Sequence, residues 1–328
     1  MRGAGWWMRQ AYLGLIPAYP ACYLVINGFR GDQFWAKPYV NRSAMPPSES
    51  LEDLVEAELD KIGDIKKAKV FVSLTESGEP RTYGGFFLQP GAELQFPVRA
   101  SFENVDHARR SAHNIELDLG LASSSGLKRS KLKLFWERYA SHRRKIELNS
   151  KVGEELVSRM MLSDLAKKFL VQRELQIANS GVLFCAPIFA WFVIFGAGYA
   201  FVLGFSKVVG LVLGSVAAAA ISLVIFRQFY KSYNLYKMQW ADEKAVDLGE
   251  EYFRGARDYF ESTMKLNRLL RVVLGEEGEK NIAKNGDCKL DAIPLSTRLK
   301  HLENYWKSQK HPVVEHNVAN VANTPNTH

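Results

Sequence analysis

Residues 181–203 read GVLFCAPIFAWFVIFGAGYAFVL and residues 208–226 read VVGLVLGSVAAAAISLVIF, separated by the four-residue turn GFSK. Neither run carries a charge, and each is close to the ~20 residues needed to cross the hydrocarbon core of a bilayer. From Leu175 to Phe226 the only charged residue is Lys207, at the tip between the runs. A buried hairpin in a soluble protein is the alternative, and two uncharged runs of this length argue against it. The expectation is a two-span transmembrane helical hairpin over 181–226.

Both flanks fit that reading. On the exit side, RQFYKSYNLYKMQW (227–240) mixes Arg227, Lys231 and Lys237 with Phe229, Tyr230, Tyr233, Tyr236 and Trp240. Basic and amphipathic aromatic side chains suit a membrane–water boundary. Far upstream, AYLGLIPAYPACYLVING (11–28) is also apolar. It follows two arginines, Arg2 and Arg9, and no acidic residue precedes Asp32. Pro17 and Pro20 would kink a helix, which lipid tolerates better than water does. Residues 1–40 are read as an anchor or targeting segment: a third span, an uncleaved anchor, or part of a basic, acid-poor import signal.

The chain has 328 residues, 47% hydrophobic and 24% charged, with a formal net charge of +8. That is too apolar for disorder, and its basicity favours anionic surfaces without choosing among them. Cys22, Cys185 and Cys288 form no CxxC, and the seven histidines form no HxxxH. Neither a disulfide framework nor a histidine-held metal is expected, and no cofactor.

Around the hairpin, residues 41–180 read as a soluble α+β part. A helix begins in the Ser/Glu-rich stretch before Leu51, Leu54, Val55 and Leu59, and Gly63 ends it. Val70 and Val72 alternate as in a strand, ESGEP makes a turn, and Phe86-Phe87-Leu88 begins another, giving a small hairpin sheet. One helix is expected over 154–180, leading into the first span. Residues 227–310 read as a helical part packed on 41–180, helical through to Gly275, and 311–328 as a disordered tail. The fold class is therefore α+β and mainly α.

Within 41–180, residues 127–145 form a basic run opposed by a single acid, Glu137. Lys128, Arg129, Lys131, Lys133, Arg143 and Arg144 are candidate contacts to anionic lipid, with a solvated helix face as the alternative. No nucleic-acid recognition motif accompanies the charge.

Arg173-Glu174-Leu175-Gln176-Ile177 has the outline of HExxH with both histidines replaced. In order along the chain, EPRTYGGFFLQPG (79–91), this segment, the hairpin, Glu243-Lys244-Ala245-Val246-Asp247 and Ile293-Pro294-Leu295-Ser296-Thr297-Arg298 resemble the elements of HtpX-type membrane zinc endopeptidases. That resemblance implies a degenerate gluzincin-like architecture. The chemistry needs two imidazoles one turn apart on one zinc, and Arg173 and Ile177 stand there instead. Glu174 takes the place of the general base and Glu243 that of the third ligand. Arg173 is expected to replace the lost cation by pairing with Glu243 or Asp247 across two helices.

A closer resemblance lies in Leu162-Ser163, Ala166 to Phe169, Arg173-Glu174, the hairpin, Leu274 to Lys280, Val105-Asp106-His107 and the QPGAELQFP turn (89–97). Together these look like the transmembrane protein 177 family. The resemblance implies a mitochondrial inner-membrane protein supporting cytochrome c oxidase assembly, stabilising newly made subunit II and its chaperone, with no enzyme activity. The alternatives are a membrane peptidase with an unrecognised site and an anionic-lipid-binding membrane organiser. Gly196, Ala197, Gly198, Gly210, Gly214 and Ala217–Ala220 allow close helix approach, to a partner or within the hairpin. A hairpin leaves both soluble parts on one side, and the basic flanks place that bulk in the matrix.

Overall fold

Helix α5 (Asp164–Asn179) sits at the centre of the soluble body, in a computed structural model that describes residues 3–28, 45–63, 65–75, 77–114 and 150–310. Ser163 caps α5 by accepting from the Ala166 amide at 3.2 Å, and Asp164 complements the positive helix end. That cap explains why the single helix expected over 154–180 is two. Helix α4 (Lys151–Met160) stops before Ser163, whose extended backbone turns the chain.

Ala166, Phe169, Leu170, Val171, Leu175 and Ala178 of α5 are all buried. They pack against α2 (Glu49–Leu59) through Leu51, Val55 and Leu59, and against α8 (Glu250–Val273) through Tyr259 and Phe260. Gly255 sets the closeness of that second contact: a Cβ there would lie 2.1 Å from the Leu165 carbonyl oxygen.

A three-stranded sheet covers the remaining side. Strands β1 (Val70–Thr75), β2 (Arg81–Gly84) and β3 (Ala92–Pro97) lie in the order β1-β3-β2, with β3 buried throughout. β2 and β3 pair antiparallel, Arg81 opposite Gln95, while β1 joins β3 in parallel, Val70 opposite Ala92. Two expectations are corrected here. The sheet is a hairpin plus a parallel strand, and Phe86-Phe87-Leu88 is not strand but the turn of that hairpin. Gly84 and Gly91 take positive φ, 76° and 84°, to make the turn, and the Phe86 amide donates to Ala178 O at the end of α5.

Beyond α5 the hairpin is α6 (Gly181–Val209) and α7 (Leu211–Val246), both long and apolar enough to cross a membrane. Gly210 reverses the chain at the tip with φ 81°. α7 is one rod of about 54 Å at 1.5 Å per residue, so the helix that forms the second span also enters the body. It ends at Val246, and Gly249 (φ 143°) breaks the helix expected to continue to Gly275. Short α3 (Val105–Asn114) and α9 (Glu276–Asn281) precede α4 and follow α8, and α10 (Leu295–Lys310) packs on α7 and α8.

Helix α1 (Ala4–Asn27) lies along both hairpin helices, antiparallel to α6: Gly5 is beside Leu211, Tyr12 beside Phe195, Tyr23 beside Phe184. It continues through Pro17 and Pro20. A proline frees the carbonyl four residues earlier, and the Trp191 indole donates to the one that Pro20 frees, Ile16 O, at 3.1 Å. The same device recurs in α6, where Pro187 frees Leu183 O and the Tyr233 hydroxyl of α7 donates to it at 2.5 Å. Of the small residues, Gly198 marks the crossing point: a Cβ there would meet the oxygens of Tyr12 and Ser222. Gly198 therefore serves packing among α1, α6 and α7.

The basic candidates Lys128, Arg129, Lys131, Lys133, Arg143 and Arg144, and the tail 311–328, lie outside the described residues.

Candidate functional site

Because α5 is buried nearly all round, its three consecutive polar residues, Gln172, Arg173 and Glu174, all need partners inside the protein. Successive residues point about 100° apart on a helix, so they reach three different elements. Gln172 donates to Glu58 Oε2 of α2 at 2.8 Å. Arg173 reaches α7, with Nε 2.9 Å from Asp242 Oδ1. Glu174 accepts from Thr82 Oγ1 of β2 at 2.6 Å and from its own neighbour, Arg173 Nη1, at 2.8 Å. The Arg173 Nε–H is not aimed at Asp242, so that contact is an ion pair rather than a hydrogen bond.

Asp242 has a second and better aligned partner. Arg298 of α10 grips it with both prongs, Nε to Oδ2 and Nη2 to Oδ1, each at 2.9 Å. Its third nitrogen donates to Glu79 at 2.7 Å, and its guanidinium lies 4.7 Å from the Phe260 ring centroid. A bidentate fork with a cation–π face satisfies most of what a buried guanidinium needs. Burial disfavours the charge on Arg298, but Asp242 and Glu79 outweigh it and hold its pKa above the usual guanidinium range. Arg173 behaves alike, burial being offset by Glu174 and Asp242. The cluster thus joins α5, α7, α10, β2 and the Glu79 turn, at about 12 Å from the start of α6 counted along α5.

Arg173 does form a cross-helix ion pair between α5 and α7, but with a different carboxylate from those expected. Its partner is Asp242. Glu243 instead faces His301 Nε2 at 2.6 Å, and Asp247 takes Lys244 at 2.9 Å and the Tyr305 hydroxyl at 2.7 Å. The reason is helical phase. Ala241, Asp242, Ala245 and Val246 make up the buried face of α7 here, and Glu243 falls beside it. The two flanking alanines at 241 and 245 are the signal in the sequence that 242, not 243, points inward. Asp242 was not singled out by sequence reasoning, and Glu79, Thr82 and Arg298 entered only as parts of motifs.

A second polar knot lies on the adjacent face of α5, around Gln172. Glu58 accepts from Lys61 at 2.8 Å and from the Tyr252 hydroxyl at 2.7 Å, fastening α2 to α8 as well as to Gln172. Burial pushes the Tyr252 hydroxyl up to about 12. In chemical terms the carboxylates of both knots are engaged by cations and hydroxyls. Where HExxH would place imidazoles stand the guanidinium of Arg173 and Ile177. Among the described residues no group of three or more His, Cys, Asp or Glu is placed to hold a metal ion.

A family model described as Transmembrane protein 177 matches residues 123–316, which include the hairpin and helices α5, α7, α8 and α10. Rat transmembrane protein 177 is 26% identical over 185 residues, 52% of this chain and 59% of the relative. The human protein is 24% identical over the same shares. An uncharacterized Caenorhabditis elegans protein is 25% identical over 320 residues, 90% of this chain and 89% of its own length. The chain spans about 59% of the length of the mammalian relatives it matches. No solved structure matches.

Proposed function

Since the chain belongs to the transmembrane protein 177 family, we propose that it is a non-enzymatic scaffold of the mitochondrial inner membrane that supports cytochrome c oxidase assembly. In this reading it stabilises newly made subunit II and the chaperone dedicated to it, with the bulk of its soluble part in the matrix. The observation that carries the reading is the family match across hairpin and body together. The buried knots favour a scaffold over a catalyst, because their charged groups are spent on one another. A rod that is at once membrane span and body helix suits a protein that holds a client at the bilayer surface.

The test is crosslinking and pulldown of the tagged full chain from inner membrane, scored for subunit II, with the half-life of pulse-labelled subunit II measured after deletion. Recovery of subunit II and a shortened half-life are expected. Absence of both overturns the reading. So does stoichiometric zinc on the purified protein with a proteolytic activity lost on chelation.

A further inference from the structure

Where the body meets the bundle there is a small cleft of about 30 Å³, roughly twice the ~10–15 Å³ of cavity that a single water needs. Its lining includes Tyr23 and Asn27 of α1, Thr82 of β2, Ile177 of α5, Phe184 of α6 and Lys237 of α7. Lys237 is the only cation among these lining residues, and it has no ion-pair or hydrogen-bond partner among the described residues. Burial lowers the Lys237 pKa, while Glu174 and Arg173 act on it at longer range with opposite signs. An ammonium left unpaired beside a buried charge cluster is costly unless something supplies the opposite charge.

The height of the cleft is fixed by contacts on either side. The Tyr233 hydroxyl bonds Leu183 O at the start of α6, and Lys237 is one turn further from the hairpin tip. The uncharged run of the second span ends at Phe226, eleven residues before Lys237. A row of rings runs along the membrane side: Tyr23 to Phe184 at 5.5 Å, and Phe184 to Phe87 at 5.4 Å. Phe87, at the β2–β3 turn, is 47% exposed although it belongs to the body, and it rests against Gly181. An exposed phenylalanine at the foot of a span is explained if the turn dips into the bilayer interface.

We propose that this cleft receives the phosphate of an anionic phospholipid from the surrounding leaflet. Lys237 supplies the counter-charge as a point donor, Asn27, whose Nδ2 donates to Tyr23 O at 3.2 Å, lines the same cleft, and the ring row of Tyr23, Phe184 and Phe87 lies along the acyl chains. The oxygens of one phosphate group enter the cleft while the rest of the headgroup stays in the interface. A free phosphate ion shares the charge chemistry, but the apolar rim favours a molecule with chains.

The test uses the full chain in phosphatidylcholine micelles, with thermal unfolding followed as phosphatidylglycerol is titrated in. Wild type is expected to be stabilised, and Lys237→Gln to need about tenfold more phosphatidylglycerol for half the effect, a loss of one charge-assisted contact. Lys237→Arg should titrate like wild type, as should Arg227→Gln, an exposed boundary cation outside the cleft. Asn27→Asp keeps the lysine and sets a carboxylate beside it, so it must weaken the effect even if Lys237→Gln does not fold. Equal titration of wild type, Lys237→Gln and Asn27→Asp overturns the proposal. Inorganic phosphate stabilising the protein in phosphatidylcholine alone as strongly as the lipid does overturns the lipid as its source.

Discussion

In the bundle of α1, α6 and α7 the groups that need partners are backbone carbonyls freed by Pro20 and Pro187; in the body they are the formal charges of Arg173, Arg298, Glu174 and Asp242. The bundle answers with one neutral side-chain donor per carbonyl, Trp191 and Tyr233, set among stacked rings. Lipid offers no alternative partner, so a single neutral donor is worth keeping. The body answers with a network in which each charge has two or more partners. A charge withdrawn from water costs far more than a carbonyl does, and a single contact does not offset it. α7 belongs to both regions, carrying Tyr233 above and Asp242 below.

The contrast predicts a ranking. Asp242→Asn is expected to be worst, leaving two buried guanidiniums without their shared carboxylate, at about 3–5 kcal/mol. Denaturant unfolding of the detergent-solubilised chain reads it directly, and a loss no larger than that of a bundle variant would erase the distinction. Arg298→Lys keeps the charge but loses the fork on Asp242 and the bond to Glu79, for about 2 kcal/mol. Tyr233→Phe leaves Leu183 O unpaired and should cost about 1–2 kcal/mol, seen in the same experiment as a smaller shift of midpoint.

The smallest effect is in pH dependence. Tyr252 titrates near 10 in the unfolded chain and about 12 when folded. Its contribution is complete below pH 10 and is lost as pH rises through the folded value, because the unfolded chain releases the proton first. Lys61, whose pKa is also raised, because bonds from Glu58 and Tyr252 overcome its burial, acts in the same direction. Stability measured from pH 9 to 12 should fall less steeply in Tyr252→Phe than in wild type.

Much of the fold was legible in the sequence. Two uncharged runs in succession are a one-dimensional signal, and the structure places α6 and α7 there, though the expected GFSK turn (204–207) continues α6 and the chain reverses at Gly210. A mainly helical body with a small sheet, and the family resemblance read from short motifs, stand as well. The strand order was not legible, because the parallel pairing of β1 with β3 is a contact across twenty-two residues that no local pattern announces. Within the site, Arg173 was visible because it stands where an HExxH helix would carry its first histidine. Its partner was misplaced by one residue, since the choice between Asp242 and Glu243 depends on the rotation of α7. Glu79 lies in a turn and Arg298 on another helix, and only tertiary packing brings them to Asp242.

The cluster staples the hairpin helix α7 to the body through Arg173 and Arg298 on Asp242. A double-mutant cycle between Asp242 and Arg298, using Asp242→Asn, Arg298→Met and the double variant, tests it most directly. The unfolding free energies should be strongly non-additive, with a coupling of about 2 kcal/mol or more and the double variant more stable than Asp242→Asn alone. Additivity within about 0.5 kcal/mol would contradict the account.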